Sequence, residues 1–548
     1  MTKQINTLAL KYPYEVLLET CSLPLKADSK KFTIATSKIK QNQFAKYLKQ
    51  LGETRKIVFK QVSEKSIQEQ LSKIFKDQNN QKSLDALRYS RPKESAHIVF
   101  TMRQKAGLWI AGLGVLTVLA MNFESSLFLM FVLINISYLI FNISKISMLM
   151  PSFGNVFLKF SKNGFTQKNW PTYSILVPLY KETNVMPGLV KHLSELDYPN
   201  EKLQIIILLE QDDTECIAKA KQMGLPYGPF EVCIVPSAPI QTKPRACNYG
   251  LQTVRGEYCV IYDAEDRPQK DQLKKAVMTF NKSAKNTICV QAKLHYYNPY
   301  QNWLTRCFTM EYLFWFNHYL PSLHRFHGPI PLGGTSNHFV TEKLKEVGGW
   351  DPYNVTEDAD LGIRLFKFDY HTVVMDSITW EEANSKIPNW IRQRSRWQKG
   401  YVQTFLVHMR HPVKLLKQMG IKGFMFFLAT FGSHVFCPVV NPILLFMTVY
   451  LMIFPFSREI VALYPSVMYI AWLNLAIGVL AYSGMHFAAA IKSKYYRLMG
   501  WSLTIPVYWF FISWACWKGI IQLFTKPFYW EKTIHGLADD AIALESLT

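Results

Sequence analysis

Between Glu382 and Glu459 the chain has no aspartate or glutamate, while Arg392, Arg394, Arg396, Lys399, Arg410, Lys414, Lys417 and Lys422 all fall in that window. Acidic residues are scarce throughout, 40 against 62 basic ones, for a net charge of +22. No nucleic-acid recognition motif accompanies that charge, so nucleic acid is not an expected partner. Lys and Arg instead collect on the cytoplasmic face of membrane proteins, against anionic lipid. The nine cysteines form no CxxC pair and no histidine cluster joins them, which argues against zinc and against a disulfide framework. The first residues, MTKQINTLAL, lack a long apolar core, so a cleaved signal peptide is not expected. Internal repeats and low-complexity tracts are also lacking.

Hydrophobic residues make up 49% of the chain and charged residues 19%. That is too apolar for a purely soluble protein and too charged for a bare membrane bundle. The apolar residues are concentrated accordingly. Ala106 to Phe123 and Ser126 to Ile143 are each about long enough to span a bilayer, with Arg103, Lys105 and Lys145 outside them. The spacing predicts a membrane hairpin over 106–145 with both outer ends in the cytoplasm. Further apolar stretches cover 423–456, 464–491 and 500–524. Three crossings there would leave the C-terminus outside, so Pro438 and Pro442 are expected to break the first into an interfacial piece or a short hairpin.

Before the hairpin, residues 1–95 are polar and Lys-rich. KFTIAT (31–36) and RKIVFKQV (55–62) read as strands between helical stretches, which predicts a small α/β or α+β domain. Deleting it is expected to leave the rest folded. Residues 171–389 alternate β-branched runs (YSILVPLY, LQIIILLE, EYCVIYDAED) with helical ones, the rhythm of an open, mostly parallel sheet. Ligands in such sheets bind at the carboxyl ends of strands, where Glu182, Glu210, Asp263 and Glu265 fall.

Two carboxylates on alternate residues, Asp263 and Glu265, can grip one hard divalent cation beside a departing diphosphate. Upstream, Lys243 and Arg245 offer charge for that diphosphate. Downstream, Thr356-Glu357-Asp358-Ala359-Asp360 opens a helix. Three acids in four residues exceed what capping needs, and one can act as general base. Gln393, Arg396 and Trp397 share one helix face at i, i+3 and i+4. The helix is otherwise amphipathic, which predicts an interfacial segment over 390–422.

In order and spacing, VPxYxE, Asp263-Ala264-Glu265, Thr356-Glu357-Asp358 and Gln393-Arg394-Ser395-Arg396-Trp397 resemble the motifs of membrane-embedded family-2 glycosyltransferases, the cellulose, chitin and hyaluronan synthases. The resemblance implies a GT-A (Rossmann-like) α/β domain inserted between transmembrane helices. It also implies a UDP-sugar donor, Mg²⁺ or Mn²⁺ and an inverting transfer to a growing polysaccharide at the bacterial inner membrane. By position it places Glu182 and Glu210 at the nucleoside, and Lys243, Arg245 and Asp263 at the diphosphate. Asp263 and Glu265 fall at the metal, and Asp358, with Glu357, at the catalytic base. Gln393, Arg396, Trp397, Gly334 and Thr335 fall at the acceptor and pyrophosphate. Glu265 where many members have Asp, and QDDTE after Glu210, are departures closest to a bacterial exopolysaccharide or mixed-linkage β-glucan subgroup. Residues 525–548 hold Trp530-Glu531-Lys532-Thr533, similar to a gating loop. The N-terminal stretch is similar to that of type II secretion ATPases, some of which bind cyclic di-guanylate through a doubled RLG-type motif. That motif is not found here, so a docking role is expected. Transfer of one sugar to a lipid carrier and a non-enzymatic envelope scaffold are the other readings, and a periplasmic export partner accompanies the first.

Overall fold

The computed structural model describes residues 2–37, 41–149, 169–453 and 465–538. Residues 454–464 of the apolar C-terminal region and 539–548 of the tail lie outside them. The N-terminal part runs α1 (Thr2–Ala9), α2 (Tyr14–Glu19), β1 (Ser22–Ala27), β2 (Lys31–Thr36), α3 (Gln41–Gln50), β3 (Lys56–Gln61), α4 (Glu64–Ile74) and α5 (Lys76–Ser90). β1 is antiparallel to β2 and β2 parallel to β3. Phe32, Ile34, Phe44, Leu48, Leu71 and Phe75 close its core.

α5 leaves that core and packs along the catalytic region, against the helix Lys243–Leu251. Asn248 Nδ2 donates to Ser83 O at 3.2 Å, and Gln252 Nε2 to Asn79 O at 2.9 Å. Beyond α5, Ser95 Oγ donates to the buried Asp351 at 3.1 Å. Residues 1–95 are therefore no free appendage. Their last 20 or so residues fill a face of the neighbouring fold, so deleting them would expose that face.

α6 (Met102–Met121) and α7 (Phe123–Leu149) form the expected hairpin. The central region follows as β4 (Tyr173–Leu179), α8 (Met186–Ser194), β5 (Leu203–Glu210), α9 (Thr214–Gln222), β6 (Phe230–Val235), α10 (Lys243–Leu251), β7 (Tyr258–Ile261), β8 (Arg267–Pro268), α11 (Gln272–Lys282) and β9 (Thr287–Tyr296). Then come α12 (Trp303–Phe314), α13 (Leu320–Arg325), β10 (Asn337–Val340), α14 (Thr341–Glu346), α15 (Glu357–Lys367), β11 (His371–Glu381) and α16 (Ile387–His408). The sheet order is β6-β5-β4-β7-β10-β9-β11-β8. It is parallel from β6 to β7, but β10 is antiparallel to both of its neighbours, so the sheet is mixed. Ile175, Val177, Ile205, Ile207 and Leu209 fill one face, and Leu176, Ile206 and Leu208 the other. Burial on both faces explains the uninterrupted apolar runs of β4 and β5.

The chain continues as α17 (Pro412–Phe427), α18 (Ser433–Ile453), α19 (Pro465–Ala476), α20 (Tyr482–Lys492) and α21 (Ile505–Thr525). Pro438 and Pro442 lie inside α18 without ending it, contrary to expectation. In apolar surroundings neighbouring helices and side chains satisfy the carbonyls that a proline frees. The chain bends instead at Gly420, whose φ of 68° only glycine adopts without strain.

Among the described residues five helical spans are long and apolar enough to cross a membrane. The last of them, Tyr496–Thr525, lies alongside α16. Trp303 Nε1 donates to Thr504 at its start, a Cβ on Gly519 would stand 2.6 Å from Ser395 O, and Lys399 Nζ donates to Lys526 O at its end. This span packs on α18 as well as on α16. Its outer stripe of Val507, Phe510, Trp514, Ile521 and Phe524 is exposed and faces lipid.

Candidate active site

The strand ends carry the acids because each chain leaves the sheet there into a turn, where side chains are free of the core. Glu182 follows β4, Glu210 closes β5, and Asp263-Ala264-Glu265-Asp266 follows β7. All but Asp266 line one cavity of about 470 Å³ together with Lys243, Gly334, Glu357, Asp358, Gln393, Arg396 and Trp397. Arg245 and Thr335 stand outside it.

Lys243, the first residue of α10, pairs with Asp263 and donates to Gly334 O at 2.7 Å. Burial works against its charge, but Asp263 and Glu357 outweigh that and raise its pKa. Asp263 is itself raised by burial. Asp266 lies beneath, accepting from Asp263 N at 2.8 Å and from Thr335 Oγ1. Thr335 thus braces the acidic turn. Arg245 is fully buried and gives both Glu210 oxygens a hydrogen bond from Nη1, at 3.3 and 3.0 Å. It is committed to that carboxylate and does not face the cavity. Burial, only partly offset by Arg245, pushes Glu210 up to about 7.

Glu357 and Asp358 begin α15. Gly334 lies beside Asp358: a Cβ there would stand in ordinary contact, 3.5 Å from Asp358 Oδ2. Burial raises both acids, and the neighbouring Asp358 adds to the rise of Glu357, to about 8. Asp360, one turn into the helix, points away, to Arg364 and His408.

Gln393 and Arg396 reach the cavity from α16. Gln393 Oε1 and Arg396 Nε are buried without a hydrogen-bond partner, which is unusual for native polar atoms unless a ligand completes them. The Arg396 guanidinium lies 4.3 Å from the Trp530 ring centroid. Trp397 is half-buried and stacks on Tyr312, with ring centroids 6.3 Å apart.

The tail closes the cavity. Lys532 Nζ lies 3.5 Å from Glu182, and His535 Nδ1 lies 3.0 Å from Glu265. Glu265 outweighs burial and lifts His535 to about 9, while burial raises Glu182 to about 6. Sequence reasoning missed His535, Glu381 and the Glu311–Arg394 pair. Arg394 donates to Glu311 Oε1 at 2.9 Å behind Trp397, and its place inside the QRSRW run was the one available signal.

Residues 171–400 match the family described as glycosyltransferase like family 2. This region is a family-2 glycosyltransferase domain. Its mixed sheet with acids at the strand ends is GT-A-like, set in a membrane-embedded chain. A probable glycosyltransferase, YdaM, of Bacillus subtilis (strain 168) is 24% identical over 276 residues, 50% of this chain and 66% of its own length. A beta-monoglucosyldiacylglycerol synthase of Nostoc sp. is 26% identical over 244 residues, 44% of this chain and 51% of its own. The cellulose synthase 1 catalytic subunit of Komagataeibacter xylinus is 24% identical over 353 residues, 62% of this chain and 43% of its own. The chain thus spans less than two thirds of the length of these relatives.

Proposed function

We propose that the protein is a processive, inverting glycosyltransferase that builds an exopolysaccharide of the β-glucan class from a UDP-sugar and passes it across a bacterial inner membrane. The observation that carries this reading is the extent of the cavity. From the acids it continues between the membrane helices, where Tyr138, Asn142, His434, Asn441 and Tyr482 line it. Polar side chains at that depth are costly in lipid and suit a hydroxyl-rich chain. A periplasmic export partner and a docking role for the N-terminal sheet belong to the same proposal.

In this mechanism Asp358 takes the proton from the acceptor hydroxyl as its oxygen attacks the anomeric carbon from the face opposite UDP. The bond from that carbon to the UDP oxygen breaks, and Lys243 and Arg396 hold the charge that develops on the diphosphate. Asp263 and Glu265 suit Mg²⁺ or Mn²⁺, because two carboxylates suffice where diphosphate oxygens and water complete the shell. When bound, the cation neutralises the leaving diphosphate. In this structure Lys243 and His535 pair with those two carboxylates.

The similarity to a glucosyldiacylglycerol synthase favours a second reading, transfer of one sugar to a lipid. Membranes given a panel of labelled UDP-sugars decide between them. Label retained in a high-mass, solvent-insoluble fraction supports polymerisation, and label confined to the lipid extract overturns it. Trp397→Ala gives a finer test. If Trp397 is a stacking platform for the acceptor, the ratio of UDP released to sugar incorporated rises roughly three- to tenfold, the worth of one aromatic contact. Trp397→Phe retains part of the function. A parallel fall in both quantities would assign Trp397 to packing.

A further inference from the structure

Arg245 is fully buried yet lies next to the donor end of the cavity, and its surroundings come from two distant parts of the chain. Nη1 holds both oxygens of Glu210, while Nη2 donates to Asn80 Oδ1 at 2.7 Å and to Pro236 O. Among the described residues Nε has no partner, and these contacts hold the guanidinium. Asn80 stands on α5, 165 residues away from Arg245 along the chain. The same helix grips the neighbouring loops: Lys76 Nζ donates to Gln211 Oε1 at 3.1 Å and Asn80 Nδ2 to Ser237 O at 3.4 Å. It also runs beside α10, the helix that begins with Lys243. These links from α5 lead to groups at the donor end.

We propose that α5 is part of the donor site and that Asn80 is a positioning residue, fixing Arg245 so that Arg245 fixes Glu210 for the nucleotide. The proposal rests on reading Glu210 as a donor-binding group. Asn80 does not touch the donor; it acts through Arg245. Without its acceptor, Arg245 loses one of its anchors and Glu210 loses its fixed orientation. The base Asp358 lies across the cavity and is unaffected. The N-terminal segment then governs donor affinity rather than the chemical step, which is a role for it beyond docking.

The test uses the full-length protein in detergent or nanodiscs, with UDP binding, donor KM and kcat measured for Asn80→Ala, Asn80→Asp and Glu210→Gln. Asn80→Ala is expected to weaken UDP binding and raise donor KM about tenfold, the order of one hydrogen bond to a charged group, with kcat within about twofold. Asn80→Asp has nearly the same shape but places a second carboxylate on Arg245 in competition with Glu210. Its effect is expected to exceed that of alanine. A packing role predicts the reverse order, with the isosteric aspartate mild and alanine severe, and that order would overturn the proposal. So would unchanged UDP affinity in Asn80→Ala when Glu210→Gln weakens it. Unchanged affinity in Glu210→Gln itself would remove the donor reading on which the proposal stands.

Discussion

Asp358→Asn is expected to lower sugar transfer by about 10²–10⁴-fold while UDP affinity stays within about threefold. The side chain opens α15 with one oxygen accepting from Ala359 N at 2.8 Å and the other beside Gly334, where no Cβ obstructs an incoming hydroxyl. Asparagine preserves that shape and can still accept a hydrogen bond, but it does not take up the proton. In the proposed mechanism UDP is held elsewhere, by groups at the ends of β4, β5 and β7, so the loss falls on kcat. Glu357 supplies an internal contrast. Burial and then Asp358 raise its pKa, which favours the protonated form. Glu357→Gln imitates that form and is expected to cost far less than Asp358→Asn. Product formation and UDP displacement, measured on the same two variants, check this. Comparable losses in both would assign the base role to the pair rather than to Asp358, and near-normal turnover in Asp358→Asn would remove it altogether.

The acids were legible in the sequence because their chemistry is local. A β-branched run ending in Glu or Asp announces a strand end, and three acids ahead of Gly362 exceed any capping need. What joins them was not legible. Arg245 read as a diphosphate ligand because a Lys-x-Arg pair before a helix shows charge but not direction, and its partners Glu210 and Asn80 are far away in sequence. Thr335 read as an acceptor contact, yet it braces Asp266 from below. β10 gave no sign of running against its neighbours, since a four-residue strand with three residues buried looks alike in either direction. His535 lies just past the gating-loop-like Trp530–Thr533 run, which gave no sign of its pairing with Glu265.

Asp360→Ala, two residues from the proposed base, is expected to cost about 3–5 kcal/mol of stability, because it leaves a buried charge unpaired. Asp360 and Arg364 are both fully buried, with Arg364 Nε 2.8 Å from Asp360 Oδ2. The remaining guanidinium nitrogens donate to Val347 O at 2.9 Å and Gly349 O at 2.7 Å. His408, at the end of α16, lies 3.0 Å from the other Asp360 oxygen. The cluster therefore ties α15 to α16 and to the loop before it, and so holds Asp358 opposite Arg396. Burial alone would raise the Asp360 pKa, but Arg364 and His408 outweigh it and the net shift is downward. A carboxylate lowered on folding contributes stability above its unfolded pKa and loses it as pH falls through the folded value. The melting temperature of the native protein is thus expected to fall toward acid pH more steeply than that of Asp360→Ala. A compensating change separates the buried charge from mere packing. Replacing both partners, as Asp360→Ala with Arg364→Met, removes the orphaned guanidinium and is expected to recover part of the loss. If the double variant is less stable than Asp360→Ala by the full cost of a second deletion, the pair is not coupled, and the three acids of α15 do not divide into two that face the cavity and one that holds the helix.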